Sequence, residues 1–267
     1  MGADIKTLRT RIKSVDSTLH LTKAMGLVAS SKIRRATDAM LKGREYKAAL
    51  EGVISSLTAY RECENSPYLK NREDGKTVLV VIAGDRGLAG GYNANIFRLM
   101  RQYPDVEVIP IGKRACDREG APTTRAESFA YADAKAIAAS VTERFASGEI
   151  ARFGIVSTVY HSMMSQEATL SWVLPLTQSK ESSPVSAVFE PDALTVLNQA
   201  VPEYVAGVLT AAVRESFASE VAARRVAMDS AGKNAEEMIA DLSLAYNRAR
   251  QGAITQEITE IVAGSGL

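Results

Sequence analysis

The run MDSAGKNAEEMIADLSLAYNRARQG, Met228 to Gly252, decides the architecture. Within it Met228, Ala231, Ala235, Met238, Leu242, Ala245, Ala249 and Gly252 step alternately by three and four residues, the spacing that keeps one seam of a helix against a partner over several turns. Half of the seam is alanine, with Gly252 at its lower end, so two backbones approach closely and each contact buries little apolar area; such a pair has to be long to hold. One helix from Pro202 to Val262 would measure roughly 90 Å, too long for a core element of a compact domain, so part of it is expected to project into something else.

The other end of the chain supplies the partner. Ile5, Leu8, Ile12, Val15, Leu19, Thr22, Gly26, Ala29, Ile33, Ala36 and Met40 repeat the same alternation, and no proline interrupts the chain before Pro67. The two ends match in period and in seam chemistry, which predicts an antiparallel pair closed by the residues between them. Charge fits the pairing. From Met1 to Lys47 eleven Lys or Arg face four acids, whereas from Pro202 to Val262 nine acids face six bases. Exposed ion pairs of this kind set register more than strength, at about 0 to 1 kcal/mol each. Nucleic acid is a rival explanation for the basic end, but a long helix with a small-residue stripe and no aromatic platform suits it poorly.

With 46% apolar and 24% charged residues in 267, the composition is that of a folded protein. No window reaches the length of a membrane span, and Lys6, Arg9, Arg11 and Lys13 break up any apolar block of a leader peptide. Cys63 and Cys116 are far apart and lack metal spacing, so free thiols are expected.

The middle reads differently. A β-branched run Thr77–Ala83 ends at Gly84, the turn Asp85-Arg86-Gly87-Leu88-Ala89-Gly90-Gly91 follows, and a helix is expected from Asn93 to Gln102. Further strands are expected at Val106–Ile111 and Arg152–Tyr160, a helix at Asp133–Phe145, and edge strands at Thr169–Leu176 and Val185–Glu190. Gln178–Pro184 reads as a turn, and Pro191 and Pro202 bracket the return into the long helix. The fold class that follows is α/β: a long antiparallel coiled coil of N- and C-terminal helices with a small central α/β domain. The expected limits are 1–69, 70–200 and 201–267.

The glycine-rich turn is where an enzyme reading would start. Its glycines lack dinucleotide-fingerprint spacing, and Tyr92-Asn93 stand where a phosphate loop needs Lys and Ser or Thr. Gly87, Gly90 and Gly91 are therefore expected to serve the turn itself, and a positive φ at Gly87 would make that residue structurally sensitive. His20 and His161 have no nucleophile or acid placed beside them in a motif, and Glu236-Glu237 lies on a seam-bearing helix where solvated acids are ordinary. No catalytic, cofactor or metal residue is expected.

Three blocks also carry a resemblance. Thr22-Lys23-Ala24-Met25 through Val28-Ala29-Ser30-Ser31-Lys32-Ile33-Arg34-Arg35, then Asp85 to Asn93, then Leu244-Ala245-Tyr246-Asn247-Arg248-Ala249-Arg250-Gln251 through Val262 resemble the gamma subunit of the F-type ATP synthase in order and separation. The resemblance implies a non-catalytic rotor shaft, with ATP, ADP and Mg held by partner alpha and beta subunits and no cofactor bound by this chain. It implies three alpha and three beta subunits, an epsilon subunit and a membrane c-ring as partners of one copy, at the cytoplasmic face of a bacterial membrane. By the same resemblance Lys23, Met25, Arg250 and Gln251 face the beta subunits, with Lys32, Arg34 and Arg35 further toward the foot. Gly26-Leu27 and Gly252 depart from the family's usual residues, and a glycine at 252 softens the helix by roughly 0.5 to 1 kcal/mol. The cysteine-bearing insert of chloroplast members is missing.

Overall fold

The computed structural model describes residues 2–177 and 189–264. Helix α1 spans Gly2–Thr58 and helix α5 spans Ala193–Gly264. They pair antiparallel: Gly26 lies beside Met228 and Gly232 beside Thr22, while Lys23 Nζ meets Glu236 Oε1 at 2.8 Å. On α1 the expected seam is the buried stripe, half-buried from Ile5 to Val15 and buried at Leu19, Thr22, Gly26, Ala29, Ala36 and Met40.

On α5 the expected seam needs correction. Met228, Ala235, Leu242 and Ala249 are turned inward, but their companions are Gly232, Ile239, Tyr246 and Ala253; Met238, Ala245 and Gly252 are exposed. Both alternations share every seventh residue, so spacing alone does not separate them. The geometry turns Gly232 toward α1, where the Thr22 hydroxyl and the Leu19 side chain pack over it.

By internal packing the chain divides into two units, Met1–Ser30 with Arg224–Leu267, and Ser31–Ala223. The second holds a four-stranded sheet in the order β2-β1-β3-β4, from β1 (Lys76–Ile82), β2 (Glu107–Ile111), β3 (Ile150–Tyr160) and β4 (Gln166–Leu174). β1 runs parallel to β2 and β3, which forces crossovers through α2 (Tyr92–Met100) and through α3 (Lys113–Glu119) with α4 (Tyr131–Ser147). β4 returns antiparallel on β3. Alternate residues of β1 serve opposite faces: Val78, Val80 and Ile82 pack with Phe145, Phe153, Leu197 and Leu209, while Leu79 and Val81 pack with Ile96 and Tyr92. Burial on both faces explains why this strand is an unbroken apolar run.

The short helix α3 was not anticipated. The long helix begins at Ala193, so Pro202 sits inside it and does not mark its start. Asp192 accounts for this by accepting from Thr195 N and from Thr195 Oγ1, both at 2.8 Å, which satisfies a free donor of the first turn. Those same bonds hold the Asp192 carboxyl below its ordinary range. The turn expected at 178–184 and all but the last two residues of the strand expected at 185–190 lie outside the described residues. Among the described residues no helix is long and apolar enough to cross a membrane.

Candidate functional site

In the first unit the paired helices present polar ends and a bare tip. Arg225 donates to the Gly26 carbonyl at 3.0 Å and also to Ser30 Oγ, so one guanidinium of α5 grips the main chain and a side chain of α1. Lys23 is drawn onto Glu236, and Met25 is half-buried. Arg250 and Gln251 are both exposed on α5, and no carboxylate among the described residues pairs with Arg250. Past Ala253 every residue to Gly264 is exposed, including Ile254 at 48%, Ile258 at 57% and Ile261 at 65%. These follow each other by four and three residues, so the tip carries an apolar stripe that none of the described residues covers.

In the second unit the basic run divides. Lys32 pairs with Glu127, while Arg34 and Arg35 remain exposed. Farther along α1, Arg44 donates at 2.5 Å both to the Tyr160 carbonyl and to Glu215 Oε1, and that same oxygen accepts from Tyr160 N at 3.1 Å. One arginine thereby joins α1, α5 and the end of β3.

The glycine-rich turn is organised by a carboxylate that sequence reasoning passed over. Asp85 accepts from three backbone donors: Lys113 N at 3.0 Å, Ala126 N at 3.1 Å and Glu127 N at 2.9 Å. Asn93 accepts from Gly84 N at 2.8 Å, and the Tyr92 hydroxyl donates to the Ser216 carbonyl of α5 at 3.0 Å. The left-handed positions in the turn are Leu88, at φ 61°, and Gly90, at φ 56°. Gly87 does not have a positive φ; an added Cβ would meet only the Arg114 guanidinium, at 3.2 Å. Gly91 is the residue before α2. Next to the turn, a Cβ at Gly84 would lie 2.9 Å from the carboxyl carbon of the buried Glu220, and one at Gly112 would lie 1.9 Å from the Ala83 backbone oxygen, where there is no room for it. Asp85 and Gly84 had a signal, a strand end with an acid beside a glycine; the donors from 28 to 42 residues away had none.

None of this assembles reactive groups. His20 stands 3.7 Å from Asp16 and His161 stands 3.2 Å from Glu167, all on exposed surface. No cluster of three metal-ligating side chains occurs among the described residues. Both cysteines are buried thiols, and burial pushes Cys63 up, away from reactivity. What the molecule offers is a helical pair with an exposed apolar end and a sheet domain whose turn is tied to α5.

A family model described as ATP synthase matches residues 4–266. Curated relatives named "ATP synthase gamma chain" include those of Ruminococcus albus, 39% identical, and Heliobacterium modesticaldum, 37% identical, each match covering 98% of both chains. Among solved structures, a chain of the Euglena gracilis mitochondrial ATP synthase, OSCP/F1/c-ring, is similar with a TM-score of 0.68 at 18% identity, covering 100% of this chain and 97% of its own. A chain from the central stalk and c-ring of the Tetrahymena thermophila mitochondrial ATP synthase reaches 0.60 at 23% identity, covering 79% and 99%. At those identities the structures speak for the fold, and the sequence relatives speak for descent: the chain belongs to the family of ATP synthase gamma chains.

Proposed function

We propose that this chain is the central rotor shaft of a proton-translocating F-type ATP synthase, coupling proton flow through the membrane sector to ATP synthesis in a head of three alpha and three beta subunits. The observation that carries the reading is the uncovered tip of α5. An isoleucine stripe continuing a coiled coil past its partner is stable only when another surface buries it, and a sleeve formed by a surrounding ring does so without a fixed chemical match. Rotation of an asymmetric shaft inside such a ring favours a different conformation at each catalytic site in turn, because the contacts differ around its circumference.

In this reading Arg250 and Gln251, with Lys23 and Met25, face the beta subunits. Arg34 and Arg35, with Lys32 beside its internal partner, lie toward the foot. The α/β domain meets the epsilon subunit and the c-ring, and the chain is peripheral at the cytoplasmic face. ATP, ADP and Mg reside in the head. Native mass measurement of the endogenous complex tests the proposal: one copy of this chain with a three-plus-three hexamer is expected, and a symmetric self-assembly without nucleotide-binding partners would overturn it.

A further inference from the structure

In the Ser31–Ala223 unit α1 and α5 line a cavity of about 450 Å³. Its walls are built by side chains that share one face on each helix: Lys32, Arg35, Ala36 and Ala39 on α1, and Thr210, Val213, Arg214 and Phe217 on α5. The loop carrying Ala126, Glu127 and Phe129 closes one side, held there by the Asp85 carboxylate. The positions from Lys32 to Ala39 extend along the helix for about 10 Å.

The lining has two chemistries. Ala36, Ala39, Val213, Phe129 and Phe217 make an apolar interior in which small residues on α1 face aromatic and branched ones. Cations stand around it, and only one is matched: Lys32 pairs with Glu127, whereas Arg35 and Arg214 have no carboxylate partner among the described residues. Thr210 is buried and its hydroxyl hydrogen goes to the Ala206 carbonyl at 2.8 Å, so it offers no donor to an occupant. An occupant matching this surface carries one anionic group for the two guanidiniums and an apolar body for the slot. A bare inorganic anion would leave the apolar walls wet, and a neutral hydrocarbon would leave two guanidiniums unmatched.

We infer that this cavity binds an amphiphilic carboxylate of medium chain length, its head held by Arg35 and Arg214 and its tail lying along Ala36, Ala39, Val213 and Phe217. Such a ligand touches both long helices at once, so its binding ties them together and stabilises the folded chain by mass action. The inference rests on this chain alone and stands apart from the rotor reading.

Decanoate below its micellar concentration is the probe, titrated calorimetrically into the full chain with thermal melting in parallel. One decanoate per chain and a raised melting temperature are expected, with little effect from acetate or decanol. Arg35→Gln combined with Arg214→Gln removes both charge-assisted bonds at exposed positions and is expected to weaken binding by about tenfold or more. Ala39→Leu fills the slot and is expected to abolish binding; circular dichroism confirms the fold of each variant. Absence of saturable binding, undiminished affinity in the double glutamine variant, or acetate or decanol binding as tightly as decanoate would each overturn the assignment.

Discussion

Arg225 of α5 donates to the backbone carbonyl of Gly26 in α1 at 3.0 Å, so a side chain of one long helix is bonded to the main chain of the other. A glycine in a helix costs about 0.5 to 1 kcal/mol relative to alanine. At position 26 a Cβ would meet Met228 Cβ at 3.7 Å and Arg225 Nη1 at 3.8 Å, both ordinary contacts. Gly26→Ala is therefore expected to raise the melting temperature, while Arg225→Met, which keeps the stem and loses the donors, is expected to cost about 1 kcal/mol. Thermal unfolding of the two variants checks both signs, and a destabilised Gly26→Ala would mean that the helices approach more closely than these distances.

The corrected seam separates two alanines that spacing treats alike. Ala235 is 5% exposed and Ala245 is open to solvent. Ala235→Leu is expected to force the helices apart at about 1 to 3 kcal/mol. Ala245→Leu should stay within about 0.5 kcal/mol. Equal denaturation midpoints for the two would return the seam to the other alternation.

In the glycine-rich region, sensitivity is expected at Gly84 and Gly112 and tolerance at Gly87. Gly112→Ala puts a carbon into the Ala83 carbonyl and strains a φ of 90°, so soluble yield should collapse. Gly87→Ala only displaces the end of Arg114 and is expected to fold with a near-native urea midpoint. A Gly87 variant that fails to fold would show a constraint on that turn other than room for a methyl group.

Acid should loosen the sheet domain at one identifiable cluster. Arg144 donates to both oxygens of Glu107 at 2.7 Å and to Glu149 Oε1 at 2.7 Å. The bonds from Arg144 hold the Glu107 and Glu149 carboxyls below their ordinary 4.5 and push the guanidinium up. A depressed carboxylate contributes stability above the unfolded-state value and loses it as pH falls through the lower folded-state one. Because Glu107 is more than a third exposed, its share should stay under about 1 kcal/mol. Glu107→Gln is expected to lower the melting temperature at pH 7 and to converge with the parent as the pH falls through the depressed Glu107 value, below 4.5, as measured by melts at descending pH; a constant offset at every pH would assign the effect to packing.

The coupling prediction rests on the proposed rotor function. Arg250→Ala with Gln251→Ala removes an exposed planar donor set and an amide, neither of which supports this chain's own fold. The pair is expected to slow ATP synthesis and hydrolysis in the assembled enzyme while leaving the tightest nucleotide affinity near its parent value, since the lost contacts belong to a step between states. Steady-state rates in both directions, after gamma occupancy is confirmed, decide it. Parent rates in both would remove these residues from the contact surface.

The coiled coil was legible because α1 has no competing signal: from Ile5 to Met40 every expected seam residue is buried or half-buried. On α5 a second three-four alternation shares every seventh residue with the expected one, and the fold turns Ile239 and Tyr246 inward where Met238 and Ala245 were expected. The sheet strands were visible as apolar runs, whereas α3 was too short for a period to register. Asp85, Arg44 and Glu215 escaped because their partners are brought together only by the fold; Arg44 and Glu215 are 171 residues apart. The cavity between Ala39 and Phe217 is hidden for the same reason, each half of it being an ordinary helix face.

The antiparallel pairing of the two long helices also sets an order of events during synthesis. The stripe from Leu19 to Ala29 leaves the ribosome before its mates from Met228 to Gly232, which follow only after some 200 further residues, at about 5 to 20 residues per second a wait of roughly 10 to 40 s. Through that interval a leucine-filled stripe would be a surface for any other nascent chain. Thr22, Gly26 and Ala29 expose little that sticks, so the seam that gains least from pairing is also the one that best survives being alone.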